Sequence, residues 1–218
     1  MKRALRADVL VALAATLLFV ATPEIDIVVS RLFMHDGRFT FNEVGLWKVV
    51  HRSIIHLPRI AFFSMVGYLI VASFAPRASW ARWRRQVAYL ALVLALGPGI
   101  GVALLKDHWG RARPSTVLEP GHSARFTPPL APADECGRNC AFVSGHAAMG
   151  FYLMTVGFAF PRHRRAWIVA GLALGSAIGV LRLAQGAHFL SDIVFAGILT
   201  WFVAVVLAMV MRPAAASP

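Results

Sequence analysis

The sequence has few charged residues, no polar linker and no nucleotide-binding loop. Charged residues make up 15% of the 218, and the mean hydropathy is +0.66. These values exclude an ordinary soluble domain and indicate a polytopic membrane protein. No linker, low-complexity stretch or repeat divides the chain, so residues 1–218 are predicted to form one domain. No Gly-x4-Gly-Lys-Ser/Thr sequence occurs, and Gly97-Pro98-Gly99, within a hydrophobic run, is predicted to kink a helix.

Acidic residues are scarce as well. The chain has 10 Asp and Glu against 22 Lys and Arg, which gives a net charge of +12. In a soluble protein this excess would indicate a nucleic-acid partner. In so apolar a chain it is better explained by membrane topology and an anionic substrate, and no nucleic-acid partner is expected.

Six hydrophobic runs predict an all-α bundle of six transmembrane helices. The third and sixth runs approach the ~20 residues that span a bilayer. The first run, which follows Lys2, Arg3 and Arg6, could instead be a signal peptide, although a retained anchor is favoured. The runs are Val9–Thr22, Ile60–Ala75, Val87–Leu105, Ala147–Phe160, Ala166–Leu181 and Ile193–Met211.

The basic residues predict the orientation of this bundle. With six spans, four basic groups fall on one side, which the positive-inside rule makes cytoplasmic. Three other charged clusters then fall together on the outer side, where a single site is expected. The four basic groups are Lys2 to Arg6, Arg77 to Arg85, Arg162 to Arg165, and Arg212.

The first outer cluster runs from Lys106 to Pro114 and contains two cations seven residues apart. Lys106 is expected to end the third run, and Arg113, which precedes Pro114, is expected to be extended and to reach in from the loop. Arginine suits bidentate phosphate recognition, and lysine supplies a point charge. The alternative is a pair of cations that extend to the membrane edge without a ligand.

The second outer cluster is Val143-Ser144-Gly145-His146, immediately before the fourth run. Exposed N–H groups at a helix N-terminus bind anions, and Gly145 would let the backbone approach an oxyanion closely. His146 could protonate a leaving oxygen. The alternative is that Ser144 only caps the helix and that His146 has a structural role.

The third outer cluster contains Arg182, His188 and Asp192. If His188 and Asp192 both lie at the start of the last helix, four residues apart, they share a face. The carboxylate could then accept one imidazole proton and leave the other nitrogen free to attack. Gly186 offers a break between Arg182 and His188. The alternative is a structural His–Asp pair.

A metal site is the main chemical alternative, because His146, His188 and Asp192 are all possible zinc ligands. Three neighbouring cations, Lys106, Arg113 and Arg182, would repel a divalent ion and attract a phosphate. No metal and no cofactor are therefore expected. A transporter would use the same cations along a path through the bundle, whereas here they lie at one end.

The three clusters resemble the signature motifs of the type 2 phosphatidic acid phosphatase superfamily, which read Lys-x6-Arg-Pro, Pro-Ser-Gly-His and Ser-Arg-x5-His-x3-Asp. The first is complete in this chain. Val143 replaces the proline of the second, and Leu181 replaces the serine of the third. The motifs span residues 106–192. The stretch from Cys136 to His146 is also similar to bacterial inner-membrane enzymes that dephosphorylate lipid A on the periplasmic face, which makes lipid A the first expectation for the substrate.

The resemblance implies a metal-independent lipid phosphatase whose substrate enters from the bilayer. It implies that His188 is the nucleophile that forms a phosphohistidine, Asp192 orients it and His146 is the general acid. The phosphoryl oxygens would be bound by Lys106, Arg113, Ser144, Gly145 and Arg182. Other substrates in the family are undecaprenyl pyrophosphate, phosphatidylglycerol phosphate and phosphatidic acid. A phosphotransferase on the same scaffold is an alternative.

Two further patterns give structural predictions. Cys136 and Cys140 are the only cysteines, and an oxidising outer compartment would favour a disulfide between them. The glycines at 171, 175 and 179 recur every four residues, which predicts close helix packing inside the bundle. The sequence leaves the oligomeric state open.

Overall fold

The computed structural model describes residues 2–39, 41, 45–77 and 79–213, and within those residues it is helical and contains no β-strand. The predicted all-α class is therefore confirmed. The α-helices are α1 Lys2–Ala21, α2 Ile25–Arg31, α3 Gly45–Phe74, α4 Arg84–Leu94, α5 Val102–His108, α6 Pro114–Leu118, α7 Gly145–Tyr152, α8 Val156–Ala159, α9 Arg164–Ala184 and α10 Leu190–Met211. Short 3-10 helices cover Ser79–Trp83, Leu153–Thr155 and Pro161–His163.

Several of these helices are long and apolar enough to cross a membrane. Among the described residues, four stretches meet this condition, and α1 with α2 adds a fifth if this pair, bent by 82°, is one broken span. The chain is thus an integral membrane protein with a polytopic helical bundle, but the predicted number of six spans is not confirmed. The four stretches are His56–Phe74, Ser79–His108, Pro161–Ala184 and Leu190–Met211.

The fourth hydrophobic run differs from the other predicted spans. Residues 145–159 form α7, a 3-10 turn and α8, and this segment is shorter than the ~20 residues that a straight span needs. It packs against α9 and α10, and Ala147, Ala148 and Met154 are almost completely buried. Its apolar sequence therefore reflects a position in the protein core.

Outward-facing side chains on the other helices are large and apolar. Leu17, Phe63, Val169 and Val210 are each at least 65% exposed, on α1, α3, α9 and α10 respectively. Such exposure would be a liability in water and is expected where a helix faces lipid.

The glycine repeat of α9 confirms the predicted close packing. A methyl group at Gly171 would overlap the backbone of Met154, and one at Gly175 would lie 2.2 Å from Phe151 Cδ1. A methyl group at Gly179 would lie 2.5 Å from Ile193 Cγ2. The repeat lets α9 approach α7, the following 3-10 turn and α10 more closely than any side chain would permit.

All three predicted clusters lie at one end of the bundle. At this end, α5 ends at His108, α7 begins at Gly145, α9 ends at Ala184 and α10 begins at Leu190. The basic residues at the start of α4, at the start of α9 and after α10 lie at the opposite end. The predicted interruption at Gly97-Pro98-Gly99 is present as a π-helical turn, Ala95–Gly101, between α4 and α5.

Candidate active site

Lys106 and Arg113 are held by the same short stretch of the outer loop. Lys106 Nζ donates to the Cys140 carbonyl at 2.7 Å and to Asn139 Oδ1 at 3.2 Å. Arg113 Nη2 donates to the Asn139 carbonyl at 2.8 Å. Arg113 is extended, with φ −87° and ψ 154°, as Pro114 predicts. The two cations of the first cluster therefore converge on Asn139.

Burial lowers the pKa of Arg113 from its ordinary value, and the charge of Asp192 opposes this effect. The influence of Asp192 shows that the first and third clusters lie within electrostatic range of each other.

Ser144 and Gly145 begin α7 beside Lys106. Ser144 Oγ accepts a hydrogen bond from Ala147 N at 3.4 Å, so the serine caps the helix. Its own N–H donates to the Asp192 carbonyl at 3.0 Å, which joins the second cluster to the third. A methyl group at Gly145 would lie 3.8 Å from Lys106 Cε, so the lysine side chain passes directly over this glycine.

Arg182 lies in the last turn of α9 and is 7% exposed. Its Nη1 donates to Gln185 Oε1, while its Nε has no hydrogen-bond partner among the residues that the structure describes. Gly186 follows with φ +61°, the left-handed conformation that glycine adopts readily. This turn ends α9 and leads to His188, two residues before α10.

Two acceptors, a backbone carbonyl and the Asp192 carboxylate, lie near Nδ1 of His188. This nitrogen lies 2.8 Å from the Ala141 carbonyl and 3.7 Å from Asp192 Oδ2. Asp192 Oδ2 also accepts the Phe189 N–H at 2.8 Å. Asp192 therefore stays within ion-pair distance of the imidazole, as the sequence predicts, but the nearer acceptor is the Ala141 carbonyl.

The contact with Ala141 also determines the tautomer of His188. A carbonyl oxygen only accepts hydrogen bonds, so Nδ1 must carry the proton and Nε2 keeps its lone pair. Burial lowers the pKa of His188 to about 3, Asp192 raises it, and the charges of Lys106 and Arg182 lower it further. The imidazole is therefore neutral at neutral pH, and its Nε2 is available as a nucleophile.

An apolar chamber adjoins the cations. Its volume is about 830 Å³, and its walls come mainly from α3, the π turn and α5. Phe62, Phe63 and Ile100 line its apolar part, whereas Lys106 and His146 line the part next to the three clusters. A ligand with a long apolar portion and an anionic end fits this distribution of side chains.

Two buried charged residues beside the site were not predicted from the sequence. Arg111 and Asp26 are both 0% exposed and are joined by a hydrogen bond of 2.8 Å between Arg111 Nη2 and Asp26 Oδ2. Arg111 stood within the first cluster, and Asp26 was the only charge in the apolar stretch Ile25–Val29. An isolated carboxylate in such a stretch is a signal that could have been used.

His146, His188 and Asp192 are the candidate ligands of the alternative metal site. Within the described ranges, no group of three or more His, Cys, Asp or Glu residues has the geometry to hold a metal ion. His146, His188 and Asp192 therefore do not form such a group. The arrangement of cations around a neutral imidazole fits a phosphate ester instead.

Cys136 and Cys140 form a disulfide in the outer loop. The five-residue loop that it closes contains Asn139, which contacts both Lys106 and Arg113. The disulfide therefore constrains the segment that holds two of the cations.

Comparison with known proteins gives the same family as the motifs. The PAP2 superfamily model matches residues 86–215. A lipid A 4'-phosphatase of Francisella tularensis subsp. novicida is 31% identical over 202 residues, which are 87% of this chain and 89% of that protein. Lipid A 4'-phosphatases of Rhizobium leguminosarum and Rhizobium etli are 32% and 30% identical, over 81% and 80% of this chain and 82% and 74% of their own lengths.

No solved structure matches the chain significantly. The family match covers more than half of the sequence and includes all three clusters. The chain belongs to the PAP2 superfamily and is a membrane-embedded lipid phosphatase, a phosphoric monoester hydrolase.

Proposed function

We propose that this protein removes a phosphate monoester from lipid A through a phosphohistidine intermediate on His188, without a metal ion. The observation that carries the proposal is the 2.8 Å hydrogen bond from His188 Nδ1–H to the Ala141 carbonyl, which leaves Nε2 free to attack. The names of the three relatives support lipid A as the substrate.

The reaction has two displacement steps. In the first, His188 Nε2 attacks phosphorus, a nitrogen–phosphorus bond forms, and the bond from phosphorus to the sugar oxygen breaks. His146 gives a proton to that oxygen as it leaves. In the second, His146 takes a proton from a water molecule, the water oxygen attacks phosphorus, and the nitrogen–phosphorus bond breaks. Inorganic phosphate is released, and His188 is neutral again.

Charge on the transferring phosphoryl group is balanced by fixed cations. Lys106 and Arg182 lie within electrostatic range of His188, and Arg113 and Arg182 lie within electrostatic range of Lys106. The Gly145 N–H at the start of α7 would add a backbone donor, whereas the Ser144 N–H is already bonded to the Asp192 carbonyl and would hold the start of α7 in place. Preorganised donors of this kind stabilise the transition state without reorganisation during the reaction.

The apolar chamber supports a lipid substrate. It lies between α3 and the helix that contains the π turn, and it reaches Lys106 and His146. An acyl chain in the chamber would place the attached phosphate near the cations, so the substrate can enter sideways from the bilayer. A water-soluble phosphate ester would leave these apolar walls uncovered.

The periplasmic face of the inner membrane is the proposed location of the site. The disulfide between Cys136 and Cys140 supports an oxidising compartment at this end of the bundle. The basic residues at the opposite end support a cytoplasmic position for that end.

Phosphate release by the purified protein in detergent tests the proposal. With EDTA present, lipid A should be hydrolysed faster than undecaprenyl pyrophosphate, phosphatidylglycerol phosphate and phosphatidic acid. His188→Ala should abolish release while the protein remains folded. Release that disappears with EDTA and returns with zinc would contradict the metal-free mechanism, and preference for another lipid would contradict the substrate.

A further inference from the structure

Arg111 is a completely buried cation with hydrogen bonds in three directions. Its Nε donates to the Thr127 carbonyl at 2.9 Å, and its Nη2 donates to Asp26 Oδ2 at 2.8 Å. Its Nη1 donates to Ser191 Oγ at 2.8 Å and to Asp192 Oδ1 at 2.5 Å. One guanidinium group therefore joins two buried carboxylates that lie 166 positions apart in the sequence.

Both carboxylate oxygens of Asp26 accept hydrogen bonds as well. Its Oδ1 accepts the Ser191 N–H at 2.8 Å, and its Oδ2 accepts the Ser191 hydroxyl at 2.5 Å as well as Arg111. These bonds fix the short helix α2 against the first turn of α10. The outer end of the bent pair formed by α1 and α2 is thereby connected to the candidate active site.

Two aromatic rings enclose the same guanidinium. Arg111 Cζ lies 4.5 Å from the centre of the Phe189 ring and 5.6 Å from that of Phe126. Phe189 directly follows His188 in the chain. Arg111 thus contacts the residues on both sides of the position at which α10 begins.

This network reaches His188 in one further step. Arg111 holds Asp192 Oδ1, and the other oxygen of Asp192 accepts the Phe189 N–H. The Phe189 N–H belongs to the peptide bond that follows His188. A displacement of the Asp192 carboxylate would therefore shift the backbone of the nucleophile, and misplacement by about 1 Å can reduce a rate about 100-fold.

Stability alone does not account for such a network. Replacing buried ion pairs by apolar residues is often neutral or stabilising, because each charge must be removed from water. Here one cation and two carboxylates are buried at the candidate active site. The reaction depends on the position of the nucleophile, and such a network can fix that position.

We propose that Arg111 and Asp26 are positioning residues of the phosphatase reaction, which fix Asp192 and through it the backbone of His188. The proposal rests on the function proposed above, in which His188 is the nucleophile. It assigns a role to α2, which lies outside the three family motifs.

Two substitutions test the proposal with little change in shape. Arg111→Lys keeps the charge and loses the forked geometry, and Asp26→Asn keeps the shape and loses the charge. We expect kcat per folded chain to fall about 100-fold in each, with KM within about threefold of the wild type. Arg111→Met should lose more activity than Arg111→Lys, so the conservative variant should rescue part of the rate.

The folded fraction is measured by gel filtration in detergent and by the amplitude of thermal unfolding. If Arg111→Met fails to fold, Ser191→Ala serves as the second variant, because it removes one donor to Asp26 and keeps the cation. It should lower kcat severalfold. Arg125→Lys and Asp134→Asn are matched controls in the exposed part of the outer loop, and they should keep wild-type kcat.

A purely structural role would reduce the folded fraction but leave kcat per folded chain within twofold of the wild type, and this result would overturn the proposal. His188→Ala is measured in parallel. If His188→Ala remained active, both the proposed mechanism and the positioning role would fail. If activity required His188 but not Arg111 or Asp26, only the positioning role would fail.

Discussion

The middle of the bundle and its site end are held together by different interactions. In the middle of the bundle, Gly175 and Gly179 of α9 touch Phe151 and Ile193, and no charged group takes part. At the site end, one cation and two carboxylates are buried and are joined directly by hydrogen bonds.

The two regions contribute to different properties of the protein, the middle to stability and the site end to the reaction. Close packing of small residues against aromatic rings contributes much attraction and is sensitive to any added volume. Buried charges cost desolvation energy, and their benefit is a fixed geometry. Changes at the site end should therefore alter catalysis, whereas changes in the middle of the bundle should alter stability.

Among the changes that separate the two regions, the largest effect is expected at Arg113, one of the cations proposed to bind the phosphate. Arg113→Ala should lower kcat/KM about 100- to 1,000-fold, because one fixed donor to the transferring phosphoryl group is lost. Arg113→Lys should recover part of the loss, since it keeps the charge but not the forked geometry. Initial rates with lipid A in detergent give kcat/KM for both variants.

Arg125→Ala is the control for this change, because Arg125 is exposed and pairs with Glu135 in the same loop. It should have a wild-type rate. An Arg113→Ala protein that melts far below the wild type, with an unchanged rate per folded chain, would show that the site end serves stability and would remove the contrast between the two regions.

In the middle of the bundle we expect a smaller effect, which lowers stability and leaves the rate unchanged. Gly175→Val should destabilise the protein by about 3 kcal/mol, because even its Cβ would overlap the Phe151 ring. The melting temperature in detergent should fall by roughly 10 °C. The rate per folded chain should remain within about twofold of the wild type.

Gly67→Val on α3 is the matched control, since a methyl group there meets nothing within 4 Å. It should melt close to the wild type. If Gly175→Val instead reduced the rate per folded chain and left the melting temperature unchanged, the separation of the two regions would be wrong.

The smallest effect is expected at the disulfide. Replacing both Cys136 and Cys140 by serine should raise KM about three- to tenfold and change kcat little, because Asn139 would hold Lys106 and Arg113 less firmly. Dithiothreitol should cause the same change in the wild type and none in the double variant. Equal inactivation of both proteins by dithiothreitol would contradict this role.

The positions of the clusters could be predicted because charge is costly near a membrane and occurs at the ends of spans. Lys106, Ser144 and Arg182 lie at helix ends because the hydrophobic runs stop there. The close packing of Gly171, Gly175 and Gly179 followed from a local repeat. These features depend on neighbouring residues, which the sequence displays directly.

The remaining features depend on contacts between distant parts of the chain. The nearer acceptor for His188 is a backbone carbonyl, that of Ala141, and a carbonyl has no sequence signature. One partner of Arg111, Asp26, lies on α2, far away in the sequence. The fourth run is apolar because it is buried by α9 and α10, and hydropathy does not distinguish burial in protein from burial in lipid.

Trapping the intermediate tests the central claim most directly. The protein is mixed with lipid A labelled with ³²P at its phosphate groups, quenched with alkali within milliseconds and digested. The account predicts label on the peptide that contains His188, stable to alkali and lost in acid, with none in His188→Ala. Rapid phosphate release by the wild type with no labelled peptide at the earliest times would contradict it, because water would then attack the lipid directly.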